Sequence, residues 1–421
     1  MDSNFFIFKP KKYLTLIFTK IMKIIEYQIP ESTKSEFNEF ANKFTIDPYL
    51  DQSYYLKIME GKVEEIFPQD LQEMLKEMGK TGDPSVILIK GMPIDNIVPD
   101  AETVEERSST KTDVSEKLVM GTVSLMGYKL QSNPKEQGGK PIHNIAPVKG
   151  FENTKSSKGR DPFYLHTENP FEQSPPDFLI LVGLEADSNA KTTYFFLENF
   201  IQSFPNEIIE AMKKPDFEIR SGAGFDEVEK GRFPLIITEE SGRLRLRMYQ
   251  NMERITPLTK DAEEVLDFIS QKFEKVEKDQ EISGISIQKG EALIFNNGWG
   301  LDKIKGVMHG RGGVIENPNR WLQRGFLKQQ QDEDVEQIAN GYYKALSYVI
   351  ENDKFSIKEA SSILRNAMLK SRDTVEFLED NPGSAVKKAF LHTSSKVEKS
   401  LDEPWLKRVA KENVVKTQNE K

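Results

Sequence analysis

The chain has 421 residues, 37% of them hydrophobic and 30% charged, and a net charge of −9. That mix suits a globular chain with room for a buried site, and it denies nucleic acid the cationic footprint that phosphate binding requires. There is no cysteine, which excludes disulfides, zinc–thiolate sites, iron–sulfur clusters and thiol nucleophiles, so a metal would have to sit on His, Asp or Glu.

In chain order, residues 5–25 are apolar but broken by Lys9, Lys11, Lys12, Lys20 and Lys23, and the longest uncharged run, Tyr13 to Thr19, is too short to span a bilayer. No small-residue cleavage site follows. Residues 1–21 therefore read as an artefactual or disordered extension, with Met22 as a second candidate start; a targeting segment is the alternative. A cytoplasmic chain without a membrane partner is expected. Lys23 to Ile29 reads as a strand, and residues 30–80 as helical. Gly82-Asp83-Pro84 breaks that pattern before the β-rich run Val86 to Ile89. Residues 95–115 are polar and read as loop, Val114 to Met126 as helix, and 131–162 as a Gly/Pro/Asn-rich segment.

From 163 to 328 the pattern is mostly β. Strands are expected at Phe178–Leu184, Thr192–Leu197, Phe217–Arg220, Pro234–Thr238, Arg243–Tyr249, Ile285–Ile287, Ala292–Asn296 and Trp321–Leu327. Helical inserts are expected at Asn199–Lys213 and Lys260–Lys278. Many short strands bounded by Gly, Pro and Asn predict a mainly β chain, a double-stranded β-helix (jelly roll) with flanking helices, rather than a parallel α/β sheet. This main domain would occupy 22–330. Beyond it, 331–421 reads as a helical C-terminal extension, Glu333–Glu351, Ser356–Leu378 and Gly383 to about Val409. Apolar positions at helical spacing, such as Ile338, Tyr342, Leu346 and Ile350, suit packing on the main domain or a homo-oligomer contact; recognition of a carrier protein is the alternative.

Four histidines are present: His143, His166, His309 and His392. In the extended run Phe163 to Glu168, alternation puts His166 and Glu168 on one face. His309, in Val307-Met308-His309-Gly310-Arg311, would be the third ligand. Two imidazoles and one carboxylate on one face of a six-coordinate ion leave three positions, which suit a bidentate 2-oxo acid and O₂. The helical H-E-x-x-H of zinc hydrolases is absent. In an extended Arg320-Trp321-Leu322-Gln323-Arg324 both arginines lie on one face and can present two guanidinium forks to carboxylates in one cavity. His143 reads as a loop residue near the cavity mouth, and His392 as a solvated residue of a charged helix.

Several blocks in order resemble the clavaminate synthase-like branch of the taurine dioxygenase superfamily. They are Gly138 to Val148, His166-Thr167-Glu168-Asn169-Pro170-Phe171, Pro176 to Leu181, Ala190-Lys191-Thr192, Gly290 to Asn297, His309-Gly310-Arg311 and Arg320 to Arg324, within residues 85–328. The resemblance implies an Fe(II)-, 2-oxoglutarate- and O₂-dependent oxygenase that hydroxylates a C–H bond of a small-molecule substrate and releases succinate and CO₂. It implies iron ligation by His166, Glu168 and His309, 2-oxoglutarate binding by Arg320 and Thr192, and substrate-carboxylate binding by Arg324. The spacing from His309 to Arg320 leaves an exchange of the two arginine roles open. The retained carboxylate at Glu168 implies hydroxylation rather than halogenation.

The relatives nearest in pattern act on free or carrier-bound L-amino acids, and the resemblance implies Gln137 and Ser156 or Ser157, with Glu168, as substrate contacts. Ordinary loop polarity is the other reading of those residues. Relatives that read a guanidinium place acids near the stretch Arg247-Met248-Tyr249-Gln250-Asn251, which has none here; this weakens arginine as the substrate. Two other readings stand beside the amino-acid hydroxylase: a taurine-like dioxygenase of another small carboxylate or sulfonate, and a non-catalytic jelly-roll binding protein.

Overall fold

In the computed structural model residues 24–44, 49, 52–95, 112–132, 139–154, 157–222, 228–239 and 241–329 are described. The expected extension 1–21, the helices of 331–421, and Gln137, Ser156 and His392 lie outside them.

Strand β1 (Ile25–Gln28) leads into helices α1 (Glu31–Lys43), α2 (Gln52–Ile66) and α3 (Gln69–Thr81), then β2 (Val86–Lys90). Next come α4 (Val114–Leu125), β3 (Tyr128–Gln131), β4 (Ile142–Ile145), β5 (Phe163–His166), β6 (Phe178–Glu185) and β7 (Lys191–Phe196). The short helices α5 (Leu197–Gln202) and α6 (Asn206–Met212) precede β8 (Phe217–Arg220), β9 (Lys230–Phe233), β10 (Ile236–Thr238), β11 (Leu244–Leu246) and β12 (Ile255–Pro257). Helix α7 (Lys260–Lys278) is followed by β13 (Ser283–Ile285), β14 (Glu291–Asn296), β15 (Trp299–Gly300), β16 (Val307–Gly312) and β17 (Trp321–Gln329).

A seven-stranded sheet in the order β1-β2-β14-β6-β17-β3, with β4 also on β17, faces a four-stranded sheet in the order β13-β7-β16-β5. Leu179, Leu181, Leu293, Phe295 and Leu322 of the large sheet pack with Tyr194 and Val307 of the small one. This is the expected jelly roll. Period-two alternation explains how one strand serves two layers. In β6, Leu179 and Leu181 join the inter-sheet core, while Ile180 and Val182 join the cluster under α1, α3 and α4. The large sheet is thus sealed by helices behind and open to the site in front.

Helix α7 has the expected bounds, and its signals agree. The Thr259 hydroxyl caps it by accepting from Ala262 N at 3.2 Å, and Val265, Leu266, Ile269, Phe273 and Val276 bury one stripe. Other expectations need correction. The single helix expected over Asn199–Lys213 is two, because Pro205, extended at ψ 148°, caps α6 and cannot continue α5. Of Arg243–Tyr249 only Leu244–Leu246 is strand, and Ile285–Ile287 shifts to Ser283–Ile285. The segment 131–162 contains a fully buried strand, β4, between Pro141 and Pro147.

Asp177, just before β6, is fully buried, and its carboxylate accepts from Arg245 and from Gln329 N at 2.9 Å, with Lys328 Nζ at 3.4 Å and Arg243 Nη2 at 3.5 Å. Burial would raise this carboxyl, but Arg245 foremost, then Lys328 and Arg243, hold it below the usual carboxylate range. Removing one partner of a buried pair leaves an uncompensated charge. Asp177→Ala is therefore expected to cost about 3–5 kcal/mol in a urea unfolding experiment, as it leaves Arg245, which is 1% exposed, with Glu239 as its remaining carboxylate and takes a shared partner from Arg243 and Lys328.

Candidate metal centre and active site

Two strands of the small sheet bring His166 and His309 together. In the antiparallel pair β5–β16 they are direct cross-strand partners, and their rings lie 4.5 Å apart between centroids. Strand β5 ends at His166, and the chain then turns into Thr167-Glu168. That turn is anchored twice: Thr167 N donates to Met248 O at 2.9 Å, and Asn297 brackets Glu168. The Asn297 side chain accepts from Glu168 N at 2.7 Å and donates to Glu168 O at 3.1 Å. Glu168 Oε2 is then 3.2 Å from His309 Nε2 and 3.9 Å from His166 Nε2, and the three donor atoms lie within 4.8 Å of one another.

The donor set fits a metal ion. An ion that draws its ligands to about 2.1 Å sets neighbouring donors about 3 Å apart. One pair already has that spacing, and the second lies less than an ångström outside it. His309 Nε2 is buried and makes no well-aligned hydrogen bond, with the Glu168 carboxylate 3.2 Å away. His166 Nδ1 faces Tyr164 O at 2.9 Å; a carbonyl can only accept, so Nδ1 carries the proton and the Nε2 lone pair faces the cluster. Burial, and secondarily the charge of His309, pushes the His166 imidazole down to about 4. It is therefore neutral at physiological pH. Burial would raise the Glu168 carboxyl, but Arg324, then His309 and His166, hold it well below the usual range, so it is ionised.

Gly310 lets the two strands approach. A Cβ there would stand 2.7 Å from Phe163 O and 3.0 Å from the Tyr164 carbonyl carbon and oxygen. Backbone cannot yield as a side-chain tip can. Gly310→Ala is expected to push β5 from β16, separate the two imidazoles and lower Fe(II) affinity by about 10–100-fold, measured by anaerobic metal titration.

The triad opens into a cavity of about 370 Å³ between the sheets, within the small-ligand range. On one side stand Thr192, Arg311 and Arg320. Thr192 and Arg311 are cross-strand partners. Burial, then the charge of Arg320, pushes the Arg311 guanidinium down to about 9, and burial pushes Arg320 down to about 10. Both stay charged at neutral pH. Two desolvated guanidiniums side by side form a receptor for a carboxylate. The turn carrying Arg320 is fixed by Asp187, which accepts from Glu316 N at 2.7 Å and Asn317 N at 2.6 Å.

Arg324 lies over the triad, its Nη1 3.7 Å from Glu168 Oε1 and its Nη2 donating to His143 Nδ1 at 2.8 Å. His143 is therefore not a loop residue at the cavity mouth: it is fully buried in β4, the cross-strand partner of Arg324. The only sign of this was the apolar Ile142 and Ile145 beside it. The lining also includes Ser157, Gly222, Tyr249, Asn251 and Arg254. The lack of acids in 247–251 has a simple geometry. Arg247 turns away and donates to the carbonyls of Pro170, Glu172 and Gln173, and Met248 is in the core.

Sequence reasoning missed Arg311, Arg254 and Asn297 as individual functional candidates. Arg311 and Asn297 stood inside the quoted motifs; Arg254 carried no signal.

Fold and site together define a jelly-roll protein with a two-histidine, one-carboxylate cluster beside an arginine-lined cavity. No protein-family model matches the chain. It is 22% identical over 267 residues, 62% of this chain and 74% of the relative, to the L-asparagine oxygenase of Streptomyces coelicolor (strain ATCC BAA-471 / A3(2) / M145). Among solved structures it is similar to asparagine oxygenase in complex with Fe(II), (2S,3S)-3-hydroxyasparagine and succinate, with TM-score 0.58, 20% identity and coverage of 72% of this chain and 92% of that one. It is also similar to the non-heme iron oxygenase OrfP in complex with Fe and α-ketoglutaric acid, with TM-score 0.58, 20% identity, and coverage of 72% and 94%. The resemblance stated from the motifs is thus borne out, and these likenesses establish the fold. No described helix is long and apolar enough to cross a membrane.

Proposed function

We propose that this chain is an Fe(II)- and 2-oxoglutarate-dependent oxygenase that hydroxylates a C–H bond of an L-amino acid, free or carrier-bound. The observation that carries this reading is the cross-strand pair His166 and His309, with Glu168 closing the triad, in the lining of a cavity that also presents arginines. The named relatives, an asparagine oxygenase and OrfP crystallised with hydroxylated arginine, support an amino-acid substrate.

His166, Glu168 and His309 would hold the iron and leave half of its coordination sphere to exchangeable ligands. When bound, iron with 2-oxoglutarate and O₂ supplies the oxidative decarboxylation to succinate and CO₂ and the oxygen atom inserted into the C–H bond. Arg320, with Arg311 beside it and the Thr192 hydroxyl, would take the distal carboxylate of 2-oxoglutarate. Arg324 would take the substrate carboxylate while its second nitrogen stays on His143, which fixes the fork. Neutral His166 needs no proton displaced before ligating. Leu179, Leu181 and Leu322 wall the reacting region and limit water. Ser157 remains a substrate-contact candidate.

The test is aerobic incubation of the Fe(II)-loaded protein with 2-oxoglutarate and each standard amino acid, scoring succinate and product mass. Succinate release stimulated by an amino acid that gains one oxygen atom is expected. Stimulation by a sulfonate or non-amino carboxylate alone would replace the amino-acid assignment with the taurine-like one.

A further inference from the structure

We propose, resting on the amino-acid oxygenase reading above, that Arg254 reads the substrate's side chain and that the substrate is an amino acid with an anionic side chain. Arg254 closes the short 3₁₀ turn Met252–Arg254 and lines the same cavity as the triad. Its guanidinium is held on two sides. One is the Tyr249 ring, 5.2 Å from guanidinium carbon to ring centroid. The other is the backbone at Gly222, where a Cβ would come within 2.4 Å of Arg254 Nη1. Tyr249 in turn stacks on His166, with centroids 6.1 Å apart and planes 28° from parallel. Imidazole, phenol and guanidinium thus form one stack running outward from the metal-binding cluster. A cation fixed there stands where the side chain of a substrate lying over that cluster would reach.

The charge is also available. Arg243 and Arg245 are paired with Asp177 and Glu239, whereas Arg254 makes no ion pair among the described residues. The cavity lining has four guanidiniums, Arg254, Arg311, Arg320 and Arg324, against two carboxylates, Glu168 and Glu253. Fe(II) and the 2-oxoglutarate dianion cancel each other, and a free amino-acid backbone is a zwitterion, so a side-chain anion would offset one of the two surplus charges. A substrate arginine would meet like charge at this position, which works against it. An amide could accept one hydrogen bond from Arg254, but only a carboxylate can take both arms of the guanidinium fork and offset its charge.

The test is anaerobic calorimetric titration of the full-length protein, loaded with Fe(II) and 2-oxoglutarate, with L-aspartate, L-glutamate, L-asparagine, L-glutamine and L-arginine. One of the acids is expected to bind at least tenfold more tightly than its amide, and arginine more weakly than either. Arg254→Gln is expected to bring the acid-to-amide ratio near one while 2-oxoglutarate still binds, which also shows that the variant folds. Gly222→Ala, which displaces the guanidinium, should lower the ratio in the same direction. Amide or arginine binding as tight as acid binding in the native protein, or an unchanged ratio in Arg254→Gln, overturns the assignment and leaves the amino-acid oxygenase reading standing. Binding of none of the five, with 2-oxoglutarate bound, likewise overturns the assignment, and the oxygenase reading is then decided by the assay with all standard amino acids.

Discussion

His166→Ala abolishes the weak visible band expected when Fe(II) and 2-oxoglutarate are added to the protein without air, and lowers Fe(II) affinity by at least about 100-fold. The size follows from the donor count: removing one of three protein ligands leaves two, and no other His, Asp or Glu among the described residues joins the cluster. The substitution removes one hydrogen bond within the chain, Nδ1–H to Tyr164 O, so metal-free stability should change by about 1 kcal/mol. Anaerobic titration followed by absorbance, beside a thermal melt of the metal-free variant, separates lost ligation from lost fold. Burial adds a pH signature. The unfolded chain takes up a proton at this imidazole near pH 6.5, and the folded chain only near 4. The unfolded state thus binds more protons between those values, and this residue's contribution to metal-free stability falls as pH drops through that window.

Arg320→Gln and Arg324→Gln are expected to fail differently. Arg320 is 4% exposed beside Arg311 and Thr192, away from the triad's own contacts. Its loss should weaken 2-oxoglutarate binding by about 2–5 kcal/mol, enough to erase the band at ordinary cosubstrate concentrations. Arg324 instead touches Glu168 and His143. Its variant should keep the band and 2-oxoglutarate affinity but lose turnover stimulated by substrate. Cosubstrate binding measured by calorimetry and substrate-stimulated succinate release, on both variants, gives the pattern. A reversed pattern exchanges the two arginine roles.

Much of the site was legible because it depends on short-range rules. His166 and Glu168 do meet as alternation suggested, although β5 ends at His166 and the turn bracketed by Asn297 places Glu168, and the arginines of Arg320 to Arg324 do share one cavity even though β17 begins only at Trp321. The long apolar runs of β2, β6 and β14 declared themselves as buried strands, as the amphipathic stripe of α7 declared a helix. What was hidden depends on register. Nothing local says that His309 faces His166, that Thr192 faces Arg311, or that His143 faces Arg324. Those pairings are fixed by sheet closure over more than a hundred residues. Arg254 was hidden for another reason: a three-residue turn has no periodicity, and its meaning comes from the absence of a side chain at Gly222.

The most direct test is iron-edge anomalous diffraction from crystals grown without air in Fe(II) and 2-oxoglutarate. One iron peak is expected within bonding distance of His166, Glu168 and His309, with the keto acid bidentate on the open side and its far carboxylate at Arg320. An ion enclosed by four or more protein ligands, or iron bound anywhere but at these three residues, would contradict the account.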